Sequence, residues 1–485
     1  MSSMRYRGWR RILLAAIPAL VVSACGASPV KPTPTPASTP AAIPAGPVTI
    51  VRWFVGLGKG NDANQVDAEK AFVKSYNASQ NRIQISLEIV PASTAFETLK
   101  AEIAAGAAPD IVGPVGVRSR NGLSGAFLDL TAEITKNTYD MTRYPSALID
   151  LFKQGKEGQV GLPYLINPGF IFYNKDLFTK ANLPDLPKKV GDQWNGKDWT
   201  WDTLGTIAAQ LTVDNKNKKS TDAGFDPANI ATYGIDFQWA DGRRVASCFA
   251  PGSFLAANGT ATIPDAWKAA WTWYYNAMWK THTAPTLKVV DSPLLANGST
   301  VASGHVAMAV SWPWAISTYG SLDKTGNTTA KFDSWDIAVM PSSGGQTSSP
   351  LDADTFVITK GSEHPDAAFQ AMVAIMADKN LRVAYGGMPA ATGDQKAWFD
   401  QFDSYLSKIF PGTNVSWSVL QEMENYPANP SPEADVPNFQ KVINLTAAFY
   451  TKMQTSGSLN LPNEMTNLQA NIAKAFEQAS ISPNP

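Results

Sequence analysis

Residues 48–60 read VTIVRWFVGLGKG, an apolar run that ends in a loop with three glycines. A run of this length that stops at glycines is typical of a buried β-strand. Alternating apolar residues predict a second strand over residues 83–90 (IQISLEIV), and residues 109–112 (PDIV) open a third. Helical apolar spacing lies between these strands, over residues 64–77 and 94–106. This order predicts a parallel sheet with right-handed crossovers, and so an α/β fold.

The rest of the chain continues the alternation of helices and strands. Patterns predict a strand over residues 333–341, a helix over residues 365–384 and a helix at the C-terminus. Four large side chains recur at helical spacing, and we interpret them as core: Trp267, Trp271, Tyr275 and Met278. The 485-residue chain is longer than one ordinary core holds, even without its first 47 residues, so we expect two lobes.

The composition excludes several classes of protein. A net charge of −1 gives no electrostatic case for binding nucleic acid or an anionic membrane surface. The three histidines lie far apart, and Cys248 is the one cysteine after residue 25, so we expect no metal centre and no disulfide. Cys248 itself is expected to be buried and inert. The sequence contains neither a G-x-S-x-G nor an H-E-x-x-H motif, and we expect no catalytic residues and no cofactor.

The first 24 residues have the pattern of an export signal. Four arginines and no acidic residue precede an apolar run from Ile12 to Ala24, which is shorter than the roughly 20 residues needed to cross a bilayer. The run ends in VSACG (residues 22–26), which resembles the bacterial lipoprotein cleavage box, so Cys25 is the predicted lipidation site. Residues 25–47 are rich in Pro, Thr, Ala and Ser and predict an extended stalk. We therefore expect the lipid alone to hold the chain on the extracytoplasmic side of a membrane.

Four segments resemble, in sequence and in order, the family-1 extracellular solute-binding proteins, the maltose-binding-like receptors of ABC importers. They are residues 99–112 (LKAEIAAGAAPDIV), 161–178 (GLPYLINPGFIFYNKDLF), 304–314 (GHVAMAVSWPW) and 388–390 (MPA). The resemblance implies an α/β, two-lobed, periplasmic-binding-protein-like fold, in which each lobe is a sheet flanked by helices and a hinge of several chain crossings joins them. By position, it implies an N-lobe of residues 48–165 and 342–390 and a C-lobe of residues 166–341 and 391–485.

The resemblance also implies a function. A monomeric receptor would capture a carbohydrate, expected to be an oligosaccharide, between the lobes and deliver it unchanged to an ABC permease. Aromatic rings suit the apolar face of a sugar, and carboxylates, amides and cations suit its hydroxyls. The candidates for ligand contact are Trp53, Lys59, Asn61, Tyr164, Asn167, Trp239, Trp312, Trp314, Asp352, Asp354 and Phe439. Trp314 holds the position of the family's stacking tryptophan, Trp312 replaces the usual glycine, and Asn167 stands where some relatives have an acidic residue.

Three alternatives stay open at this point. A secreted carbohydrate-active hydrolase would need two carboxylates about 5–10 Å apart across the scissile bond, one of them with a raised pKa. A receptor for a peptide or a polyol would use the same scaffold with a different set of polar contacts. A structural or signalling lipoprotein would keep the fold without a ligand. Ligand-dependent stabilisation without turnover separates the receptor from the other two classes.

Overall fold

A computed structural model describes residues 47–153, 157–295, 299–431 and 436–481. The predicted signal peptide, Cys25 and the stalk as far as residue 46 lie outside the described residues. The described strands are β1 (Thr49–Val55), β2 (Ile83–Ile89), β3 (Ile111–Gly116), β4 (Leu162–Pro168), β5 (Phe170–Asn174), β6 (Gln193–Trp194), β7 (Lys197–Asp198), β8 (Val213–Asp214), β9 (Ile230–Thr232), β10 (Met308–Ser311), β11 (Trp335–Ala338), β12 (Ser342–Ser343), β13 (Gln346–Thr347), β14 (Leu351–Ile358) and β15 (Met388–Pro389).

The helices cover both faces of the sheets. They are α1 (Ala63–Ser79), α2 (Ala95–Ala104), α3 (Val117–Asn121), α4 (Thr131–Lys136), α5 (Ser146–Leu151), α6 (Lys175–Lys180), α7 (Trp201–Leu211), α8 (Gly242–Ser247), α9 (Asp265–Trp279), α10 (Leu287–Val290), α11 (Pro365–Ala377), α12 (Lys379–Tyr385), α13 (Thr392–Ile409), α14 (Ser418–Met423), α15 (Phe439–Thr455) and α16 (Leu461–Ile481). Short 3-10 turns include Pro313–Thr318, directly after β10.

The larger sheet has the strand order β15-β4-β14-β3-β1-β2. Its strand β1 pairs in parallel with both β2 and β3, as the alternation of strands and helices predicts. The later strand β14 enters antiparallel between β3 and β4, and β15 pairs antiparallel with β4. The smaller sheet, β10-β5-β11, is antiparallel. The α/β prediction is therefore confirmed.

The core follows the apolar pattern of each element. One face of the larger sheet packs against α11 and the other against α2, while a larger cluster surrounds the smaller sheet. Helix α9 points its four large predicted core residues, from Trp267 to Met278, into that cluster, and each of them is buried. Cys248 is also buried in it, as predicted. Burying a side chain of this size contributes roughly 1.5–3 kcal/mol, so this stripe is a major stabilising element of the fold.

The helix predicted over residues 365–384 is two helices, α11 and α12. Its apolar pattern is continuous, but Asp378 leaves the helical conformation with φ −70° and ψ 122°. The Asp378 carboxylate accepts a hydrogen bond from Leu381 N at 2.9 Å and so begins α12. Gly386, at φ +73°, then ends α12 in the left-handed conformation that favours glycine.

The chain leaves or re-enters the larger sheet at three crossings after β4. It leaves the larger sheet at Gly169 and enters β5 of the smaller sheet, returns between β11 and β14, and leaves again after β15 for the C-terminal helices. A Cβ at Gly169 would lie 3.0 Å from the backbone oxygen of Pro350, so the two crossing segments leave little room for a side chain. These passages fall where the hinge is predicted. The exact boundaries of the two lobes stay a prediction.

Candidate functional site

Three tryptophans form a continuous group, here called the tryptophan stack (Trp239, Trp312 and Trp314). The rings of Trp312 and Trp314 are nearly parallel, with an interplanar angle of 6° and centroids 5.6 Å apart. Trp239 lies 5.6 Å from Trp314 at an angle of 52°. Exposure rises across the stack, because Trp312 is fully buried, Trp314 is partly buried and Trp239 is 42% exposed. The stack therefore presents an aromatic surface on a buried support.

The exposed ring of Trp239 is held by an unusual backbone. Trp239 has φ +63°, a left-handed conformation that is uncommon for a bulky residue and is maintained by surrounding structure. The preceding residue, Gln238, accepts hydrogen bonds through Oε1 from Thr300 N at 2.7 Å and Thr300 Oγ1 at 3.1 Å. Thr300 Oγ1 also donates to the buried Asp236 at 2.5 Å. These contacts fix the loop that carries Trp239.

Asp352 joins the stack to the larger sheet. Trp314 Nε1 donates to Asp352 Oδ2 at 3.0 Å, and Arg244 Nη2 donates to Asp352 Oδ1 at 2.5 Å. The Arg244 guanidinium carbon also lies 5.3 Å from the centre of the Trp312 ring, a cation–π distance. Both carboxylate oxygens are therefore engaged, and the stack, Arg244 and strand β14 form one connected unit.

Asp354 lies on the same face of β14 as Asp352, because side chains alternate along a strand. Its Oδ1 would be 3.2 Å from a Cβ at Gly58, so the carboxylate lies against the loop that follows β1. Burial raises the pKa of Asp354 to about 6, while the charge of Lys59 opposes the rise and that of Asp352 adds to it. Among the described residues, no group donates a hydrogen bond to this carboxylate. It is an acceptor available to a ligand.

This position is the switch point of the larger sheet. Helices α1 and α2 cover opposite faces, and β1 lies between β2 and β3 in the sheet. Ligands of open α/β sheets bind outside the carboxyl ends of the strands at such a point. Lys59 follows β1 and Arg118 follows β3, so both cations are placed there. Asn167 pairs with Asp352 across β4 and β14, and its buried Oδ1 has no partner among the described residues.

Phe439 lies apart from the tryptophan stack, at the start of α15. The Arg118 guanidinium is 6.0 Å from its ring centre, and Arg118 Nη2 donates to Gln440 Oε1 at 3.1 Å. A cavity of about 1020 Å³ opens beside Phe439, lined also by Gly122 and Phe476. No residue of the stack lines this cavity, and Glu477 is its one charged lining residue among those described. This cavity and the polar groups around β14 therefore involve different side chains.

Three further candidates do not join the group around β14. Trp53 is fully buried, donates through Nε1 to Gly113 O at 2.6 Å and packs in the core of the larger sheet. Tyr164 is 4% exposed and meets the ring of Tyr385 edge-on. Both side chains point to the face that α11 covers, and their contact with a ligand stays a prediction. Asn61 is exposed, and its Oδ1 accepts a hydrogen bond from Ala92 N at 3.1 Å.

Two arginines of the site are absent from the candidates that the sequence suggested. Arg244 lies in the first turn of α8, where Asp241 caps the helix by accepting from Arg243 N and Arg244 N. Arg118 is the second residue of α3, the helix that follows β3. The run Asp241-Gly-Arg-Arg244 lies close in sequence to an exposed tryptophan, and this is a local signal that points to Arg244. Partners more than a hundred residues away, such as Asp352, leave no local signal.

The two sheets and the three crossings of the chain define a two-lobed, periplasmic-binding-protein-like α/β fold. The family model for bacterial extracellular solute-binding proteins matches residues 71–396, and the chain belongs to this family. No curated protein sequence matches the chain. Among the described residues, no helix has the length and apolar character needed to cross a membrane.

Solved structures share this fold at low sequence identity. UspC of M. tuberculosis superposes with a TM-score of 0.66 at 19% identity, covering 88% of this chain and 100% of UspC. The sugar-binding protein MalE of Xanthomonas citri has a TM-score of 0.65 at 16% identity, covering 89% and 98%. The ABC substrate-binding protein Lmo0181 of Listeria monocytogenes, in complex with cycloalternan, has a TM-score of 0.59 at 20% identity, covering 89% and 99%.

Proposed function

We propose that this chain is the extracytoplasmic substrate-binding lipoprotein of an ABC importer and that it captures a carbohydrate reversibly between its two lobes. The observation that carries the proposal is the tryptophan stack with the Asp352–Arg244 pair at its edge. A sugar has an apolar face of C–H groups and a rim of hydroxyls, and an aromatic surface bordered by charged groups matches both features.

Each group of the site has a separate part in this proposal. Trp239 and Trp314 offer ring surface to the sugar, while Trp312, being buried, supports them. Asp354 accepts hydrogen bonds from sugar hydroxyls, and Lys59 donates to hydroxyl oxygens from the neighbouring loop. The Asp352 carboxylate and the Arg244 guanidinium already form an ion pair. In this proposal the pair orients Trp314 and borders the sugar, and no unpaired charge is left when the lobes close.

Membership of the solute-binding family supports reversible capture as the activity. The sugar-binding description of MalE and the cycloalternan complex of the Listeria protein support a carbohydrate as the ligand. The ABC substrate-binding description of that same relative supports delivery to a permease as part of the proposal. We further propose that the chain acts as a monomer, held at the extracytoplasmic face by a lipid on Cys25.

One observation favours a hydrolase as the second candidate. Asp352 and Asp354 are two residues apart on one strand, with Cα atoms about 7 Å apart, and the pKa of Asp354 is raised to about 6. Glycosidases use two carboxylates of this kind. Against this function, both oxygens of Asp352 are engaged by Trp314 and Arg244, so neither is available as a nucleophile or to hold a water for attack.

A panel experiment tests the proposal. Purified protein is heated in the presence of one compound at a time, drawn from monosaccharides, oligosaccharides, peptides and polyols. Compounds that raise the midpoint temperature of unfolding are then titrated by calorimetry. We expect at least one carbohydrate to bind with a micromolar or lower Kd, and small-angle scattering to show a more compact particle in its presence. Stabilisation by a peptide and by no carbohydrate would overturn the assigned ligand class. Binding without compaction would overturn capture by lobe closure.

A further inference from the structure

A small cavity lies beneath the hydroxyl of Tyr164, away from the proposed sugar site. Its volume is about 30 Å³, which is room for one or two water-sized bodies. Strand β4 contributes Pro163 and Tyr164, helix α12 contributes Arg382, strand β15 contributes Pro389, and Ala391 follows β15. The cavity therefore lies at the third crossing, where the chain leaves the larger sheet after β15.

The side chains that present polar atoms to this cavity can all donate hydrogen bonds. Tyr164 is 4% exposed, and its Oη has no hydrogen-bond partner among the described residues. Arg143 and Arg382 carry guanidinium groups, which donate and never accept. The hydroxyls of Tyr139 and Tyr144 are bonded to each other at 2.6 Å.

Two guanidinium groups at the cavity share one carboxylate oxygen. Arg382 Nη1 and Arg143 Nη2 both donate to Asp394 Oδ2, at 2.5 and 3.3 Å. Burial raises the pKa of Tyr164, so its hydroxyl stays protonated and has a hydrogen to donate. The positive charge of Arg382 lowers the pKa of the Tyr164 hydroxyl, and the negative charges of Asp378, Asp354 and Glu69 each oppose it with a smaller effect.

We infer that this cavity is a binding site for a single small inorganic anion of halide size, held by the Tyr164 hydroxyl and the Arg143 and Arg382 guanidinium groups. An anion would accept a hydrogen bond from the Tyr164 hydroxyl and lie beside two guanidinium groups that share a single carboxylate oxygen. The Arg143 side chain is 40% exposed and gives an ion a route from solvent.

The position gives this anion a structural role. It would join β4, which also carries Asn167, to α12 and to the first turn of α13, where Asp394 lies. The contact would add a charged link between the larger sheet and the third crossing. This inference does not depend on which solute the protein captures.

Crystals grown with bromide in place of chloride test the site directly. We expect an anomalous peak inside the cavity, within hydrogen-bonding reach of Tyr164 Oη, and we expect it to be lost in Tyr164→Phe. Density for a water alone, with no anomalous signal, would overturn the proposal.

A thermal measurement tests the same site in solution. Replacing gluconate by chloride at equal ionic strength should raise the midpoint temperature of unfolding by about 2 °C. A single site gives a shift of this size when the chloride concentration is roughly ten times its dissociation constant. Tyr164→Phe should fold normally and lose this increment. The matched control is Tyr319→Phe, which removes a buried hydroxyl already bonded to Ser311 Oγ at 2.5 Å and should retain it. An equal chloride response in the parent and in Tyr164→Phe would contradict the assignment.

Discussion

Replacement of Trp314 by alanine is the sharpest perturbation of the proposed sugar site. The Trp314 ring lies between Trp312 and Trp239, and its Nε1 bonds to Asp352. Its removal takes away a stacking surface and leaves the exposed Trp239 ring without support. Tryptophans that act as central contacts in binding sites typically account for 2 kcal/mol or more on truncation. We expect a loss of about 2–4 kcal/mol, or roughly 30- to 1,000-fold in Kd.

The same substitution should also lower the free energy of unfolding. Two aromatic contacts contribute about 0.5–1.5 kcal/mol each, and a hydrogen bond to a carboxylate about 1.5–3 kcal/mol. The expected total is about 2.5–6 kcal/mol, measured by urea denaturation. Trp314→Phe separates the two effects, because it retains a ring for the sugar and removes the Nε1 bond. We expect it to retain more of the affinity than Trp314→Ala.

Calorimetric titration with the best carbohydrate of the panel provides the assay. The matched control is Trp398→Ala, because Trp398 is a partly buried tryptophan that stacks on Phe402 in α13 and has no ring contact with the tryptophan stack. We expect its Kd to stay within about twofold of the parent. If folded Trp314→Ala binds the sugar as tightly as this control, the stack is not the sugar platform and the reasoning fails.

Three further predictions concern titration and anchoring. Burial raises the pKa of Glu424 from 4.5 to about 8. Folding therefore takes up a proton between pH 4.5 and about pH 8, and the free energy of unfolding should fall as the pH rises through this range. Glu424→Gln still accepts the hydrogen bond from Gln395. Its free energy of unfolding, measured by urea denaturation, should exceed that of the parent by a few kcal/mol at about pH 8 but not at about pH 4. Equal differences at both pH values would refute this. Sugar affinity should fall below about pH 6 as Asp354 is protonated, and calorimetry of Asp354→Asn should show a weaker binder without that dependence. Cys25→Ser should move the protein from the membrane fraction to the soluble fraction in a cell fractionation, and an unchanged distribution would refute the lipid anchor.

Local sequence patterns were sufficient for several elements of the fold. Alternating apolar residues predicted β2, and the spacing of large side chains predicted the buried face of α9, because each pattern reflects a periodicity of the backbone itself. The continuous apolar pattern from α11 to α12 was misleading. The side chain of Asp378 offers the backbone a cap at that position, and the cap interrupts the helix although the apolar spacing continues.

The candidate site was only partly predictable. Trp312 and Trp314 are two residues apart and look equivalent in the sequence, yet one is buried with its Nε1 bonded to Pro350 O at 2.9 Å and the other reaches Asp352. The difference depends on the turn that Pro313 begins and on where β14 passes. Arg244 joins the site for the same reason, since its partner is 108 residues away in the chain. Pairings of this kind arise from the tertiary fold and have no periodic signature.

The central claim is reversible capture of a sugar without chemical change. One measurement tests it most directly: the sugar that binds in calorimetry is incubated with an excess of the protein, released by denaturation, and weighed by mass spectrometry against a protein-free control. We predict a stoichiometry of one and recovery of the sugar with its mass and amount unchanged. Recovery of shortened products, with activity abolished in Asp354→Asn, would contradict the receptor account and establish the hydrolase in its place.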